Sequence, residues 1–338
     1  MDNLFLVASP YQLISATEAK MKMGCKEQSC LVLFFNGKKS EVNQLKNMAA
    51  RLGWEVVIEC YAFKGSIALS FFKRLCFIWR LCFESRARCR RTFIGDFNVS
   101  YFHYVARAVG SEEVVFLDDG AATLNTYSDY LSKNRMLPQR DSVELDFIES
   151  IVFFPFSSPW FKSKSFSLFT SYDLKSVDGL VVVNNNFEYL KGVSKEAKVE
   201  KAMVWLIGSP YSEIGIMDME SELLLIKKAV RFLVEKGCRV EYYAHRRDSS
   251  QKLNKINGLE GVSALKRSTF PVEYEYCINT PARPSSIAGF YTTALGALAE
   301  LGRFDDIYSF EFPDKFLSEN IRRVYAYYRS RGFCVVTL

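Results

Sequence analysis

The chain has 338 residues, of which 49% are hydrophobic and 24% are charged, and it carries a net charge of +6. This length and composition are typical of a globular protein with room for two domains. The positive charge is too small for a protein that binds duplex nucleic acid, so we expect no nucleic-acid partner. It favours anionic small molecules or an anionic membrane surface.

Nine cysteines are scattered along the sequence without a CxxC pair. This arrangement predicts free or buried thiols in a reducing compartment, and neither a disulfide framework nor a zinc site, so we expect no bound metal. No stretch reaches the roughly 20 apolar residues that span a bilayer, and no signal peptide is visible. These features predict a cytoplasmic location.

The first half of the chain alternates apolar strands with helices. Ser9 and Pro10 begin a helix that runs to about Met23. This βαβ alternation predicts a parallel sheet with both faces covered. The predicted strands are 3–8, 31–35, 55–60, 92–97, 113–117 and 180–183, and the further predicted helices are 41–52 and 101–109.

Residues 66–91 form an unusual segment that is rich in both aromatic residues and arginine. A long helix of this composition can lie on an anionic membrane surface. It can equally cover the sheet, with the arginine stems packed and their charged heads in water. The second interpretation is preferred, and the first would give the protein a peripheral membrane contact.

A polar, charged stretch at 191–201 predicts a linker, and a second α/β unit follows it. We therefore predict an N-terminal Rossmann-like domain at 1–195 and a second one at 196–312. A C-terminal helix and tail at 313–338 can pack back on the first domain. In the second unit the predicted strands are 203–207, a strand ending at 245, 285–290 and 306–311, and the predicted helices are 219–236, 270–279, 294–301 and 314–330.

The stretch RVEYYAHRRDSS at 239–250 places His245 at the carboxyl end of a predicted strand. In open α/β sheets ligands bind outside that edge. Arg246 and Arg247 follow at once, and guanidinium groups bind phosphate or carboxylate while an imidazole can donate a proton to it. The alternative is a surface strand end whose charges are only solvated.

Two further strand ends carry polar residues. Asp118 and Asp119 follow a strand in VVFLDDGAATLN, and adjacent carboxylates can serve as a base and its orienting partner. Asp-Asp-Gly is also a common turn. Thr292 and Thr293 lead into an alanine-rich helix. Their hydroxyls, together with the free backbone amides at the start of that helix, can bind a phosphate. The alternative there is a plain threonine cap.

Six short pieces occur in the same order as in the bacterial lipooligosaccharide sialyltransferases, glycosyltransferase family 52. They are FLVASPYQLISATEA, FLDDG, WLIGSPYSE, YYAHRRD, FPVEYEY and GFYTTAL, and they run from Phe5 to about Leu295. The chain resembles that family over most of its length. The resemblance implies a GT-B fold of two Rossmann-like domains facing across a cleft. It also implies CMP-sialic acid as donor substrate, inverting transfer without metal or cofactor, and often a homodimer.

The resemblance gives His245 the role of the general acid that contacts the donor phosphate, although Arg246 follows it where the family usually has proline. Glu273 matches an acidic residue near the nucleotide's ribose or base. Thr292 and Thr293 match hydroxyl residues near the phosphate. The other donor-side residues are Gly208, Ser209, Pro210, Tyr211 and Arg247, and the acceptor-side residues are Ser9 and Gln12.

The general base is less clear from the resemblance. Tyr211 stands where some members carry the aspartate base, and a tyrosine hydroxyl is a poor base at neutral pH. Related families of the same fold use a carboxylate of an Asp-Asp-Gly type, so we rank Asp118 and Asp119 first. Glu213 comes next.

The sequence therefore predicts a sialyltransferase that acts on a hydroxyl, expected to be of galactose, in a bacterial surface glycan such as lipooligosaccharide or capsule. The acceptor can be lipid-linked, and the enzyme can then sit on the inner face of the bacterial membrane. One alternative is the same fold with another donor, a CMP-linked nonulosonic acid or a UDP-hexose. Another is a non-catalytic relative that binds nucleotide or glycan.

Overall fold

The computed structural model describes residues 2–25, 28–35, 39–61, 67–84, 89–138 and 165–338. The chain divides into two compact units, Met1–Tyr189 and Leu190–Leu338. A short helix crosses this boundary. None of the helices in the described ranges combines the length and the apolar character that crossing a bilayer requires.

The first unit is built on a seven-stranded parallel sheet in the order β3-β2-β1-β4-β5-β6-β7. All residues of β1 and β2 are buried, because helices cover the central strands on both faces. The strands are β1 (Asn3–Val7), β2 (Ser29–Phe35), β3 (Val57–Tyr61), β4 (Arg91–Ile94), β5 (Glu113–Leu117), β6 (Ser165–Thr170) and β7 (Val181–Asn184). The helices are α1 (Pro10–Lys22), α2 (Lys39–Arg51), α3 (Ile67–Glu84), α4 (Ser100–Ala108), α5 (Ala122–Asp129) and α6 (Glu188–Gly192).

Strand β6 is absent from the sequence prediction. Its sequence, SFSLFT, carries three hydroxyl residues, which weaken the apolar signal of a buried strand. The structure satisfies two of them through the neighbouring strand: Ser167 donates to Glu113 at 2.6 Å, and Thr170 donates to Asp118 at 2.5 Å. These hydrogen bonds satisfy the polar side chains, so β6 can pair within the buried sheet although its sequence is not uniformly apolar.

Helix α3 is shorter than the predicted segment 66–91, of which residues 66 and 85–88 lie outside the described ranges. Its inner face covers the sheet, as preferred from the sequence. Ile78 and Leu81 are fully buried in the core of the first unit. The Tyr101 hydroxyl of α4 donates a 2.9 Å hydrogen bond to the Arg74 carbonyl and fixes the helix in place.

The second unit is built on a six-stranded parallel sheet in the order β10-β9-β8-β11-β12-β13, the strand order of a Rossmann fold. The strands are β8 (Lys198–Ile207), β9 (Arg239–Tyr243), β10 (Val262–Lys266), β11 (Ala282–Gly289), β12 (Asp306–Glu311) and β13 (Cys334–Thr337). The helices are α7 (Met219–Glu235), α8 (Ser250–Asn257), α9 (Val272–Tyr274), α10 (Thr293–Leu301) and α11 (Glu319–Ser330).

Two boundary predictions are corrected here. The predicted linker at 191–201 overlaps β8, whose first residues are largely exposed and therefore polar. The tail at 313–338 belongs to the second unit, because β13 pairs with β12 at the edge of the second sheet. Its helix is held there as well, since Tyr328 donates to the Thr292 carbonyl at 2.5 Å.

Candidate active site

The carboxyl ends of β1, β4 and β5 lie side by side where the strand order of the first sheet reverses. Leu6 pairs with Ile94 and Ile94 pairs with Phe116, so the loops that follow begin at the same level. Ligands of parallel sheets bind at such a point. The polar residues that follow these strands are Ser9 and Gln12 after β1, Asp96 after β4, and Asp118 and Asp119 after β5.

Asp118 is a fully buried carboxylate that is engaged by several hydrogen-bond donors. It accepts from the Thr170 hydroxyl at 2.5 Å, from the Ser171 backbone N–H at 2.7 Å and from the Ser171 hydroxyl at 3.1 Å. Burial raises the pKa of Asp118 to about 6, and these hydrogen bonds oppose the rise. Asp118 therefore holds the loop after β6 and is poorly placed to take a proton from a substrate.

Asp119 is only partly buried and presents a different environment. Its Oδ1 accepts a 2.8 Å hydrogen bond from the Gln12 amide, and its backbone N–H donates to Thr123 at 2.9 Å. Burial and the nearby negative charge of Asp96 raise the pKa of Asp119 to about 7, against the Gln12 hydrogen bond. A carboxyl group with a pKa near 7 at a sheet edge suits a general base.

The orientation of the Gln12 side chain towards Asp119 is fixed by a second hydrogen bond. Its Oε1 accepts the Ala8 N–H at 2.8 Å, which turns the amide nitrogen towards the carboxylate. Gly95 passes so close that an added Cβ would lie 2.8 Å from that same Oε1. Ser9 caps α1 by accepting the Gln12 N–H at 3.2 Å. The two residues predicted on the acceptor side thus organise Asp119 in this structure.

Gly95 and Asp96 are functional candidates that the sequence reasoning missed. The signal was present, because a glycine and a carboxylate directly follow the apolar strand β4. The prediction extended that strand to Phe97 and so hid both residues inside it. Burial also raises the pKa of Asp96, which adds a second partly buried carboxyl group beside Asp119.

The carboxyl ends of β8, β9 and β11 lie side by side at the corresponding point of the second sheet. Ile207 pairs with both Tyr243 and Gly289, so the three loops begin at one level. The residues predicted for the donor side follow these strands: Gly208, Ser209, Pro210 and Tyr211 after β8, His245 and Arg247 after β9, and Thr292 and Thr293 after β11, with Glu273 beyond β10.

His245 lies two residues beyond the end of β9 and is partly buried. Its backbone N–H donates to Asp248 at 2.8 Å, and its Nδ1 accepts the Arg247 N–H at 3.2 Å. Because Nδ1 is an acceptor, Nε2 carries the proton in the neutral ring. Burial, with the charges of Arg246 and Arg247, lowers the pKa of His245 to about 4. At neutral pH the protein therefore presents a neutral imidazole with an Nε2–H donor.

A buried lysine lies behind this loop. Lys252 is fully buried, and its ammonium contacts Asp248 at 2.8 Å, Glu213 at 3.3 Å and the Glu222 carboxylate. It also donates to the Ser209 carbonyl at 2.9 Å. The network therefore ties the loop after β8 to the loop after β9. An ammonium among several carboxylates can remain charged without water.

Glu213 belongs to this network. Its Oε1 accepts the Ser249 N–H at 2.9 Å, and its Oε2 contacts Lys252. Burial would raise the pKa of Glu213, but the Ser249 N–H and the Lys252 charge outweigh it and hold that pKa below its usual range. Glu213 is thus engaged in holding the loops, and Asp119 is the better candidate for the base.

The loop after β8 is closely packed. The buried Tyr211 hydroxyl donates to the Tyr291 carbonyl at 2.7 Å, and burial holds the pKa of Tyr211 well above its usual range. Tyr211 is therefore unsuited to act as a base near neutral pH. At Gly208 any side chain would collide with the Tyr242 hydroxyl. Only glycine fits where this loop leaves the strand.

Thr292 is the N-cap residue of α10, but its side chain makes no capping hydrogen bond. Thr292 still occupies the cap position, so the choice between a phosphate site and a plain threonine cap stays a prediction. Thr293 follows as the first residue of the helix and is partly exposed. Glu273 is buried in α9, and burial raises its pKa to about 7. No cluster of histidine, cysteine or carboxylate residues in the described ranges could hold a metal ion.

Two Rossmann-like units with parallel sheets define the fold as the GT-B class. Similar solved structures include an α/β-galactoside α-2,3-sialyltransferase from Photobacterium phosphoreum, with 12% identity over 99% of this chain and 98% of that chain, and a TM-score of 0.52. The UDP-GlcNAc 2-epimerase of Neisseria meningitidis has 9% identity over 99% and 95%, with a TM-score of 0.51. At these identities the similarity shows the fold alone.

The sequence match is more specific. Residues 92–309, more than half of the chain, match the profile of the Alpha-2,8-polysialyltransferase (POLYST) family. The chain belongs to this family, and it is therefore a glycosyltransferase that transfers sialic acid. The match includes both Asp119 and His245, but it does not confirm family 52, which the sequence resembles. No curated protein matches the sequence.

Proposed function

We propose that this enzyme transfers sialic acid from CMP-sialic acid to a hydroxyl of a terminal sialic acid, which would make an α-2,8 linkage. The observation that carries the proposal is the match of residues 92–309 to the α-2,8-polysialyltransferase family. Galactose, the acceptor expected from the sequence, is the second candidate. The ordered resemblance to lipooligosaccharide sialyltransferases favours it.

In the proposed reaction the bond between the sialic acid anomeric carbon and the CMP phosphate breaks, and its electron pair goes to the phosphate oxygen. His245 donates its Nε2 proton to that oxygen. The neutral ring of the free enzyme is too weak an acid for this step, because loss of its proton would leave an imidazolate, so the donor must be the protonated imidazolium. A bound phosphate would raise the pKa of His245 from its low value in the free enzyme.

Asp119 is the proposed base. It removes the proton from the acceptor hydroxyl, whose oxygen attacks the anomeric carbon on the face opposite to the leaving CMP. This geometry inverts the configuration. A pKa of about 7 leaves a substantial fraction of Asp119 ionised at neutral pH. The assignment over Asp118 and Glu213 is supported by the donors and the Lys252 ammonium that engage those two carboxylates.

The remaining donor-side residues have binding roles in this proposal. The hydroxyls of Thr292 and Thr293 and the amides at the start of α10 bind the phosphate, and Arg247 adds positive charge. Protein groups thereby offset the phosphate charge, so the proposed transfer needs neither metal nor cofactor. Glu273 is suited to a ribose hydroxyl, since a carboxyl group with a pKa of about 7 can accept or donate a hydrogen bond.

We place the enzyme in the cytoplasm, where it would extend a bacterial surface glycan such as capsule or lipooligosaccharide, including a lipid-linked one. All nine cysteines are free thiols, which supports a reducing compartment. A homodimer also belongs to this proposal, because the resembled family is often dimeric.

The decisive experiment offers CMP-sialic acid and, in parallel, another CMP-linked nonulosonic acid and a UDP-sugar. Each donor is combined with an α-2,8-linked oligosialic acid and, separately, with a terminal galactoside, and product masses are the readout. Extension of the oligosialic acid, unaffected by a metal chelator, is the expected result. Extension of the galactoside alone would select the second candidate. Transfer only from another CMP-linked nonulosonic acid or a UDP-sugar, or nucleotide binding without transfer, would reject the proposal.

A further inference from the structure

The outer face of α3 presents large aromatic side chains to solvent. Phe72, Trp79 and Phe83 have 65%, 61% and 87% of their surfaces exposed. Together with Cys76, also exposed, they recur at intervals of four, three and four residues. That spacing places them on one side of a helix, so they form a continuous stripe. We call these four residues the α3 stripe.

The helix cannot bury this stripe by rolling on the sheet. Its opposite face is fixed, because Ile78 and Leu81 are fully buried in the core. The hydrogen bond from Tyr101 to the Arg74 carbonyl holds the backbone as well. A contiguous exposed patch of aromatic residues on a fixed helix is typical of an interaction site.

The charges beside the stripe indicate what it contacts. Lys73 and Arg80 are both exposed and lie two helical turns apart along one edge of the stripe. From 73 to 91 the sequence carries seven lysine or arginine residues, and Glu84 is its one acidic residue. Glu84 pairs with Arg80 at 2.8 Å, so Lys73, Arg80 and Glu84 together leave this edge of the helix with one net positive charge. A partner with negative charge and an apolar layer beneath it is complementary to this face.

We propose that the α3 stripe docks on the surface of an anionic lipid bilayer. The aromatic rings enter the boundary between headgroups and acyl chains, and Lys73 and Arg80 lie at the level of the lipid phosphates. Aromatic side chains are enriched at that depth. The helix lies on the membrane and does not cross it. Such docking would bring the enzyme to a lipid-linked acceptor.

A second copy of the chain is a poorer occupant. Obligate homodimer interfaces bury about 2,000 Å² or more, and four side chains on one helix supply only a fraction of that area. Two copies meeting stripe to stripe would also bring their positive edges together, which is unfavourable.

The test measures co-sedimentation of the full-length protein with phosphatidylcholine vesicles, with and without phosphatidylglycerol. One variant carries Phe72→Ser, Trp79→Ser and Phe83→Ser, and a second carries Lys73→Gln and Arg80→Gln. The matched control carries Leu224→Ser and Val234→Ser, which remove exposed apolar side chains from α7. Circular dichroism and thermal unfolding confirm that each variant is folded.

We expect the wild type and the control to bind vesicles that contain phosphatidylglycerol, and the aromatic variant to lose roughly a hundredfold in partition coefficient. The charge variant should lose its preference for the anionic lipid. Transfer to a soluble acceptor should be unchanged in all variants, so a failure of docking is distinct from a failure of the proposed chemistry. Equal binding by wild type and aromatic variant, or no binding by either, overturns the proposal. If the wild type forms a dimer that the aromatic variant alone cannot form, and no protein binds the vesicles, the stripe serves self-association. That result also overturns the proposal.

Discussion

The side-chain amide of Gln12 donates a 2.8 Å hydrogen bond to Asp119, which joins the first turn of α1 to the loop that follows β5. The two residues are far apart in the sequence, and the strand order of the first sheet brings them together. The contact matters because it stabilises the ionised form of the proposed base. Burial and Asp96 act in the opposite direction, so the pKa of Asp119 is set by competition among these neighbours.

Replacing Gln12 by leucine removes the hydrogen bond that favours the ionised carboxylate. The pKa of Asp119 should then rise above about 7. Because a base acts only when ionised, turnover should be lost at a higher pH than in the wild type as the solution is acidified. The measurement is kcat/KM as a function of pH. The reference variant is Asp119→Asn, which should remove the fall of kcat/KM at low pH. If that fall occurs at the same pH in Gln12→Leu as in the wild type, Asp119 does not control it.

The chain has two histidines, and they provide a matched pair. His245→Gln should lower kcat by roughly two to four powers of ten if the imidazole is the general acid. His103 is buried in the first unit with its Nε2 at 2.7 Å from the Phe97 carbonyl, so His103→Gln should affect stability and leave kcat per folded molecule near normal. Nearly normal kcat in the His245 variant would remove the acid role.

Lys252 is the charge that holds the loops after β8 and β9 together. Lys252→Met leaves the buried carboxylates of Asp248 and Glu222 without their counter-ion and removes the contact with Glu213, so the free energy of unfolding should fall by about 3–5 kcal/mol. Urea denaturation measures this change. Lys255 lies on the same helix but is exposed, so Lys255→Met should change stability by no more than about 0.5 kcal/mol. Similar losses in both variants would contradict the assigned role of the network.

Glu273 should make the protein less stable as pH rises. Its pKa of about 7 in the folded state lies above the ordinary value of 4.5, so the folded chain keeps a proton that the unfolded chain releases between these values. The free energy of unfolding therefore falls across that window, by on the order of 3 kcal/mol from this residue. Glu273→Gln should flatten the curve, and the exposed Glu260→Gln is the control. The measurement is urea denaturation at pH values below and above the window, and equal slopes in wild type and Glu273→Gln would contradict the expectation.

The sequence by itself determined the parallel α/β character of both units. Continuous apolar strands such as β1 and β2 alternate with helices, and this local pattern needs no knowledge of distant partners. It also marked the strand ends at Asp118, His245 and Thr292, since polar residues after buried strands are visible along the chain. Strand β6 was not predicted, because its serine residues weaken the apolar pattern of a buried strand. Only the structure shows that the Ser167 hydroxyl donates a hydrogen bond to Glu113 of the neighbouring strand.

Only the tertiary structure separated the roles of these polar residues. Asp118 and Asp119 are adjacent in sequence, yet one is saturated by donors from the loop after β6 and the other meets Gln12 from α1. The Lys252 network that engages Glu213 was likewise invisible to periodicity. In α3, which the sequence already marked as rich in aromatic residues and arginine, the structure decided which face is buried and which is exposed. The physical reason is that hydrogen bonding and burial depend on strand order, which brings together groups that the sequence keeps far apart.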